Sequence, residues 1–306
     1  MPYNFILSIP MEHAGRRLDQ SLAELLPDHS RNRIQQWIDQ GGVLLDGSPA
    51  SRKAKIWGGE EVEISVEAHP SEQPYQAEAM ALDIAYEDDS VMVINKPAGL
   101  VVHPGAGNWT GTLLNALLYH VPALANIPRA GIVHRLDKDT SGLMVVAKTL
   151  EAQTALVRAL QAREVKRVYW AVAQGQFAPL EGEIDAPIGR DPRNRVRMAV
   201  VENGKPAQTH YRVLRQYRNA AWVECHLRTG RTHQIRVHLT HIGHPLLGDA
   251  VYTGKKAHHT AFHRQALHAY RLGFVHPASA ELMAWEAPMP ADFQGLLHEL
   301  EDGDGA

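Results

Sequence analysis

Apolar positions recur at helical spacing early in this 306-residue chain and mostly at strand spacing later. Over Arg16–Leu26, Leu18, Leu22, Leu25 and Leu26 share one face and predict a helix that Pro27–Asp28 ends. Ser30 is placed to cap a second helix, Arg31–Gln40, whose core face is Ile34, Trp37 and Ile38. Gly41–Gly42 stops that helix, Val43–Leu45 runs into the turn dipeptide Asp46–Gly47, and Val62–Val66 alternates as a strand after Gly58–Gly59. His69–Glu78 is polar and proline-containing, the composition of a linker.

Beyond residue 80 the pattern predicts strands at Leu82–Glu87 and Val91–Asn95 around the loop Asp88–Asp89–Ser90. A helix at Thr112–Val121 and a buried strand at Leu143–Ala147 follow. Glu151–Arg163 is an amphipathic helix, and Lys166–Val172, Thr209–Gln216 and Ala221–Leu227 are strands. Thr232 could cap a short helix with Ile235, Leu239 and Ile242 on its buried face. Arg264–Ala269 begins a strand that pairs with Leu282–Trp285, and Ala291–Glu301 is a last helix before an acidic tail. Strands outnumber helices and short hairpins join many of them. The expected fold is α+β, with a small domain tethered to a larger one built on a central mixed, largely antiparallel β-sheet. The boundaries read from this pattern are 14–68, a linker over 69–80, a larger domain over 81–298, and a tail over 299–306.

Composition narrows the class. A hydrophobic content of 44% and a charged content of 21% fit a soluble globular protein. No apolar run approaches a membrane span, and the first ten residues lack a basic segment followed by a long apolar one, so a cytoplasmic location is expected. Cys225 is the single cysteine, which excludes an internal disulfide and a cysteine-rich metal cage. The formal net charge of −3 argues against a coat of basic charge, though not against clustered basic residues. Among the 18 histidines, His238, His241 and His244 are spaced by three, but they precess around a helix and Gly243 interrupts them. No HExxH or CxxC accompanies them, so no metal is expected. Gly105, Gly107 and Gly111 do not have the spacing of a nucleotide loop.

Four stretches carry dense chemistry. Gly131–Lys148 places His134, Arg135, Asp137, Lys138 and Asp139 between apolar segments, where such charges must face a cleft or pair with one another. Thr229–Gly243 sets Arg236 at the edge of a core-facing helix, where a guanidinium needs an anionic partner. Gly189–Met198 holds Arg190, Arg193, Arg195 and Arg197 on a turn, as a phosphate-contacting finger or a solubilising loop. The first seventy residues carry Arg16, Arg17, Arg31, Arg33, Arg52, Lys53 and Lys55, which suit phosphate contacts or solvated helix faces.

Residues 14–66 closely resemble the S4 RNA-binding module in their "RLD" start, the "SR" opening of the second helix, and the "GGV" and "GGEEV" steps. With HRLDKDTSG, the tyrosine strand Lys166–Ala171, TGRTHQIRVH at Thr229–His238, NKPAGLVVHPG at Asn95–Gly105, GKPA at Gly204–Ala207 and RQALHA at Arg264–Ala269, the chain resembles the large-subunit type of RNA pseudouridine synthases up to about Pro290. Beside that family the loop Gly254–Phe262 looks short and the acidic tail trimmed. The resemblance implies a catalytic Asp137, an Arg135 that fills the gap left by a flipped uridine, and a Tyr169 that stacks on the base. It also implies an Arg236 that pairs with the aspartate, and Ile235 and Leu267 lining the uracil pocket. Expected RNA contacts are Arg16, Arg17, Arg31, Arg33, Lys53, Arg193 and Arg195. The implied partner is large-subunit rRNA or its precursor particle, with no membrane and no cofactor, and a monomer is expected because no long exposed apolar seam appears.

The chemistry agrees with this assignment. Converting uridine to pseudouridine involves no redox change and loses no group, so it requires neither nucleotide cofactor nor metal. It needs a carboxylate acting as nucleophile or base, an arginine that favours the ionised form, and an aromatic face to hold the freed uracil. Asp137 has three routes open to it: attack on the sugar carbon, attack on the uracil ring, or removal of a sugar proton. Two other functions share some of these features. One is an rRNA-binding assembly factor with a vestigial pocket. The other is glycoside hydrolysis by Asp137 and Asp139, which is disfavoured because carboxylates one residue apart on a loop point apart.

Overall fold

The computed structural model describes residues 3–67, 74–105, 107–253 and 262–304. The chain divides into two compact units, Met1–Pro74 and Tyr75–Ala306. Part of the expected linker and nearly all of the loop at 254–262 lie outside the described residues.

The first unit is a four-stranded antiparallel sheet carrying two helices. Its elements are β1 (Tyr3–Ser8), α1 (Leu18–Leu25), α2 (Arg31–Asp39), β2 (Val43–Leu45), β3 (Ser48–Pro49) and β4 (Glu61–Val66), with the strands ordered β1-β4-β2-β3. The unit starts earlier than residue 14, because β1 pairs with β4 from Tyr3↔Val66 to Ser8↔Glu61. Ile6 on β1 is 65% exposed, so the strand lacks the alternation that would mark it in sequence. Ser30 caps α2 by accepting the Arg33 N–H, a contact worth about 1 kcal/mol. Asp46 and Gly47 both take positive φ, as the two-residue hairpin turn requires. Leu18, Leu22, Ile34, Trp37, Val43, Ile56 and Val62 close the core. The first helix is shorter than the leucine pattern suggests. Arg17 is already extended as its N-cap residue, and Leu18 N–H bonds Ala54 O outside the helix.

The second unit is built on a nine-stranded sheet. Its early elements are β5 (Ile84–Glu87), β6 (Val91–Lys96), α3 (Leu113–His120), β7 (Ser141–Ala147), α4 (Leu150–Gln161) and β8 (Lys166–Gln174). Next come β9 (Glu181–Asp185), β10 (Ile188–Arg190), β11 (Met198–Val200), β12 (Gln208–Gln216), β13 (Ala220–Leu227) and α5 (Gln234–His241). Then β14 (Leu267–Val275), β15 (Leu282–Glu286) and α6 (Ala291–Asp304) complete it. The strand order is β5-β6-β7-β14-β8-β13-β12-β9, with β15 also paired to β14. All of these pairings are antiparallel except β7 with β14, where His268 meets Ser141 and Ala269 meets Gly142. At that crossing Gly142 has φ 109°, and a Cβ there would lie 2.2 Å from Ala269 O.

All seven residues of β7 are buried because both faces of the sheet are covered. Met144 and Val146 face α3 and α5, while Leu143, Val145 and Ala147 face Ala152 and Leu156 of α4. Phe293, Leu296 and Leu297 of α6 bury against Val172, Tyr217 and Leu247. That helix continues to Asp304, so much of the expected tail is helical. The arginine-rich turn is the tip of a two-stranded hairpin, β10 with β11.

Candidate active site

The charged loop sits where β7 emerges beside β14, and its backbone is held from below. Leu136 is buried in the core while Asp137 beside it faces a cleft. Lys96 is fully buried, and its ammonium donates to Pro97 O at 2.7 Å, Lys138 O at 2.9 Å and Leu100 O at 3.0 Å. Arg264 Nη1 donates to Asp139 O at 3.1 Å. Thr140 N–H bonds Asp137 O, closing the turn. Two cations thus bond carbonyls of the loop and its surroundings, and Lys138 O also accepts the Gly99 N–H at 2.9 Å. Burial pushes the Lys96 pKa from 10.5 down to about 7. Asp139 contributes a backbone carbonyl to this scaffold.

Arg236 reaches Asp137 across 99 positions of sequence. Its Nη1 donates to Asp137 Oδ2 at 2.9 Å. Its Nε and Nη2 grip the two oxygens of Asp249 at 2.7 and 2.9 Å. Asp249 is fully buried, and its Oδ1 also accepts the N–H groups of Val251 and Tyr252 at 3.0 and 3.2 Å. The Tyr252 ring lies 5.0 Å from the Arg236 guanidinium carbon. Arg236 is therefore a rigid bridge between one carboxylate inside the fold and one in the cleft. Two carboxylates and these bonds outweigh the burial that opposes its charge, and its pKa lies above the ordinary arginine value.

Asp137 Oδ1 accepts no hydrogen bond among the described residues. His233 Nε2 lies 3.8 Å from this oxygen. His233 sits at the N-terminus of α5 with φ 57°, so it, and not Thr232, is the N-cap residue. Its Nδ1 lies 2.9 Å from Tyr252 Oη, which in turn accepts the Met198 N–H at 3.0 Å. Gln234 Oε1 accepts from Thr229 Oγ1 and the Arg231 N–H, which ties the turn before the helix to its first residue. Burial lowers the His233 pKa.

The cleft has a volume of about 800 Å³ and is lined by Asp137, Tyr169, Ile235, Arg236 and Leu267, with Arg135 at an exposed position. The fold thus gathers all six residues expected at the site. Tyr169 is 5% exposed, and burial raises its hydroxyl pKa, so the group stays protonated at neutral pH. Seven arginines line this cleft and Asp137 is the one carboxylate among its lining residues. In a chain of net charge −3 that local excess draws a polyanion. The histidines at 238, 241 and 244 do not converge. His238 lies 2.8 Å from Thr209 Oγ1 and 2.9 Å from Ala186 O, and His244 lies 2.8 Å from Gln174 O.

The basic residues expected on the first unit are partly committed to the fold. Arg17 and Arg31 both bond the fully buried Asp19, with Gln35 as a third donor. Arg16 pairs with Glu24, and Arg33 lies 5.5 Å over the Trp37 ring. Lys53 is exposed. Arg193 and Arg195 are exposed on the β10–β11 hairpin. Nothing in the sequence pattern marks Asp249, Tyr252, His233 or Lys96 as a site residue. Gly248 before Asp249, with positive φ, is the one local sign of a specially shaped turn there.

Comparison with known proteins identifies the family. The family model described as RNA pseudouridylate synthase matches residues 90–241, and that of the S4 domain matches residues 16–62. The chain is 56% identical to "Ribosomal large subunit pseudouridine synthase D" of Neisseria meningitidis serogroup B, over 96% of this chain and 81% of that protein. It is 54% identical to the protein of the same name from Nitrosomonas europaea, over 97% of this chain and 88% of the other. Among solved structures, human RNA pseudouridylate synthase domain containing 1 superimposes with a TM-score of 0.57. That match has 26% identity and covers 73% of this chain and 97% of the human one. The high identity over nearly the whole chain, with both family models matched, places the chain in the RNA pseudouridylate synthase family: it is an RNA pseudouridine synthase, an isomerase, with an S4 domain in its first unit.

Proposed function

We propose that this enzyme isomerises specific uridines in large-subunit (23S) ribosomal RNA, in the cytoplasm and as a monomer, with Asp137 as the acting carboxylate. The observation that carries the reading is the asymmetric environment of Asp137. Oδ2 is held by Arg236, itself anchored on Asp249, while Oδ1 accepts no hydrogen bond from the described residues. A carboxylate fixed by one oxygen presents the other for reaction at no cost of reorientation.

In the reaction the N1–C1′ bond of uridine breaks and a C5–C1′ bond forms. The hydrogen on C5 leaves as a proton and N1 gains one, so atoms and electrons balance without a cofactor. The target base must leave its stack, which costs a few kcal/mol. Arg135 occupies the vacated space in the RNA, and the Tyr169 ring offers a stacking face worth about 1–3 kcal/mol. Ile235 and Leu267 give the uracil apolar walls that let it turn after the glycosidic bond breaks. Attack on the sugar carbon, attack on the ring and removal of a sugar proton all use the same free oxygen of Asp137. Arg16, Arg17, Arg31, Arg33 and Lys53 of the S4 domain, and Arg193 and Arg195 of the β10–β11 hairpin, contact RNA phosphates outside the cleft. Arg17 and Arg31 do so with the donors that Asp19 leaves unused.

Mapping pseudouridine in 23S rRNA from cells lacking the protein tests the substrate. The expected result is loss of pseudouridine at a small set of positions, restored by the wild-type gene. An unchanged map refutes the assignment to large-subunit RNA.

A further inference from the structure

Among the described residues of the second unit, the buried cation Arg167 lacks the partners given to Arg236, Lys96 and Arg264. Arg236 has two carboxylates, Lys96 has three carbonyls, and Arg264 has Asp292 and a loop carbonyl. Arg167 is 7% exposed, and its Nε is buried with no hydrogen-bond partner. Among the described residues no carboxylate, carbonyl or hydroxyl bonds the rest of its guanidinium. A buried guanidinium without counter-charge is strongly disfavoured unless something else supplies the charge.

Its position says where that charge comes from. Arg167 and Tyr169 lie two residues apart on β8, so the strand period turns both to the same face, and both line the cleft. Across from it Gly230 leaves room for the guanidinium: a Cβ on Gly230 would come within 2.6 Å of Arg167 Nη1. The neighbouring His134 accepts the Val145 N–H through Nε2 at 3.1 Å, so it supplies no negative charge. Arg167 also lines a second cavity, of about 570 Å³, and it shares both cavities with Arg163, Leu227 and Arg228. It therefore lies on the wall the two cavities share, flanked by Arg163 and Arg228, with Glu181 and Glu224 elsewhere on the second cavity's lining.

We propose that Arg167 is the receptor for one backbone phosphate of the RNA strand next to the uridine on Tyr169, and that the strand leaves the cleft through the second cavity between Arg163 and Arg228. A planar guanidinium binds two non-bridging oxygens at once, and the empty donors of Arg167 suit that geometry. Burial lowers the Arg167 pKa without discharging it, so the site is a cation awaiting an anion. This role rests on RNA being the substrate of the cleft.

The test compares full-length wild type, Arg167→Met and Arg167→Lys. Tritium release from an unmodified 23S rRNA transcript labelled at uridine C5 gives kcat and KM. Binding of the same transcript is followed over a series of KCl concentrations. The expected result for Arg167→Met is a KM raised about tenfold with kcat within about twofold, and a salt slope reduced by about 0.7–0.9, one phosphate contact. Arg167→Lys keeps the charge and restores the slope. Without RNA, Arg167→Met melts at or above the wild-type temperature, and inorganic phosphate raises the melting point of wild type but not of the mutant. A methylphosphonate walked through a short single-stranded RNA spanning the modified uridine distinguishes a strand phosphate from a free anion. It weakens wild-type binding at one position and leaves Arg167→Met indifferent there. An unchanged salt slope and KM in Arg167→Met, a lowered melting point with the phosphate response intact, or no sensitive methylphosphonate position overturns the proposal. Absence of tritium release by wild type itself would instead strike the substrate assignment.

Discussion

Asp249 makes no contact with the cleft, yet replacing it is expected to disable the enzyme. Its carboxylate is fully buried and supplies two of the three charge-assisted bonds on Arg236, and it accepts two backbone N–H groups as well. Asp249→Ala leaves the Arg236 guanidinium, 5% exposed, with Asp137 as its one remaining carboxylate. Breaking a buried pair in this way costs about 3–5 kcal/mol. For a unit of this size that lowers the melting temperature by roughly 10 °C. Asp249→Asn keeps an oxygen for the backbone N–H groups but loses the charge, so it falls between wild type and Ala. The effect on turnover follows from geometry. Freed from its anchor, Arg236 swings onto both oxygens of Asp137 and covers Oδ1. Because Asp249 touches no substrate, kcat falls about 10–100-fold while KM changes little. Calorimetry and single-turnover tritium release read the two effects separately. Wild-type melting and wild-type kcat in Asp249→Asn would refute the claim that this carboxylate positions Arg236.

The loop scaffold predicts a pH effect on stability. The Lys96 pKa is about 7 when folded and 10.5 in its ordinary state. The unfolded chain therefore binds the extra proton between those values, so stability rises with pH across that window and the benefit is lost as pH falls to about 7. In Lys96→Met, denaturant titrations from pH 7 to 10 lose this rise, while turnover drops because Pro97 O and Leu100 O lose the Lys96 donor and Lys138 O keeps the Gly99 N–H alone. Tyr169→Phe keeps the stacking face and is expected to bind RNA within about threefold of wild type. Tyr169→Leu loses the face, at about 1–3 kcal/mol, measured by filter binding. In the S4 domain, burial raises the Asp19 pKa but the bonds from Gln35, Arg31 and Arg17 more than offset it, so its carboxylate lies below the ordinary range. Its stabilisation is present above about pH 4 and is lost as pH falls through the folded value. Asp19→Asn destabilises the S4 domain by about 3 kcal/mol at pH 7 and flattens its acid unfolding limb. Hydrogen exchange resolved over residues 16–66 checks this.

Elements whose burial follows a simple period were legible in the sequence. The faces of α1, α2 and α4 follow from leucines and alanines at helical spacing. The run Leu143–Ala147 announced a strand covered on both sides. What escaped was structure made by distant or irregular pairs. The parallel contact of β7 with β14 joins residues 127 positions apart and leaves no local trace beyond Gly142. The strand β1 was invisible because Ile6 faces solvent. At the site, a guanidinium at the rim of a core helix could be seen to need an anion. That Asp137 is that anion came from the family resemblance, since no pattern links residues 99 apart. Asp249 was missed because a lone aspartate in a loop has no period. Arg17 and Arg31 looked free for phosphates because sequence does not show that Asp19 is buried between them. Arg167 read as part of a strand. Its exceptional status, buried and without a hydrogen-bond partner for its Nε among the described residues, exists only in three dimensions.

The central claim is that Asp137, fixed by Arg236 through Oδ2 and free at Oδ1, carries the reaction. Asp137→Asn removes the charge and keeps the shape. Single-turnover tritium release from C5-labelled 23S rRNA transcript, with transcript binding measured on the same preparation, tests it most directly. The predicted result is no release above background with binding within about threefold of wild type. Tritium release by Asp137→Asn at the wild-type rate would contradict the account, and would leave the cleft as an RNA-binding surface whose carboxylate does no chemistry.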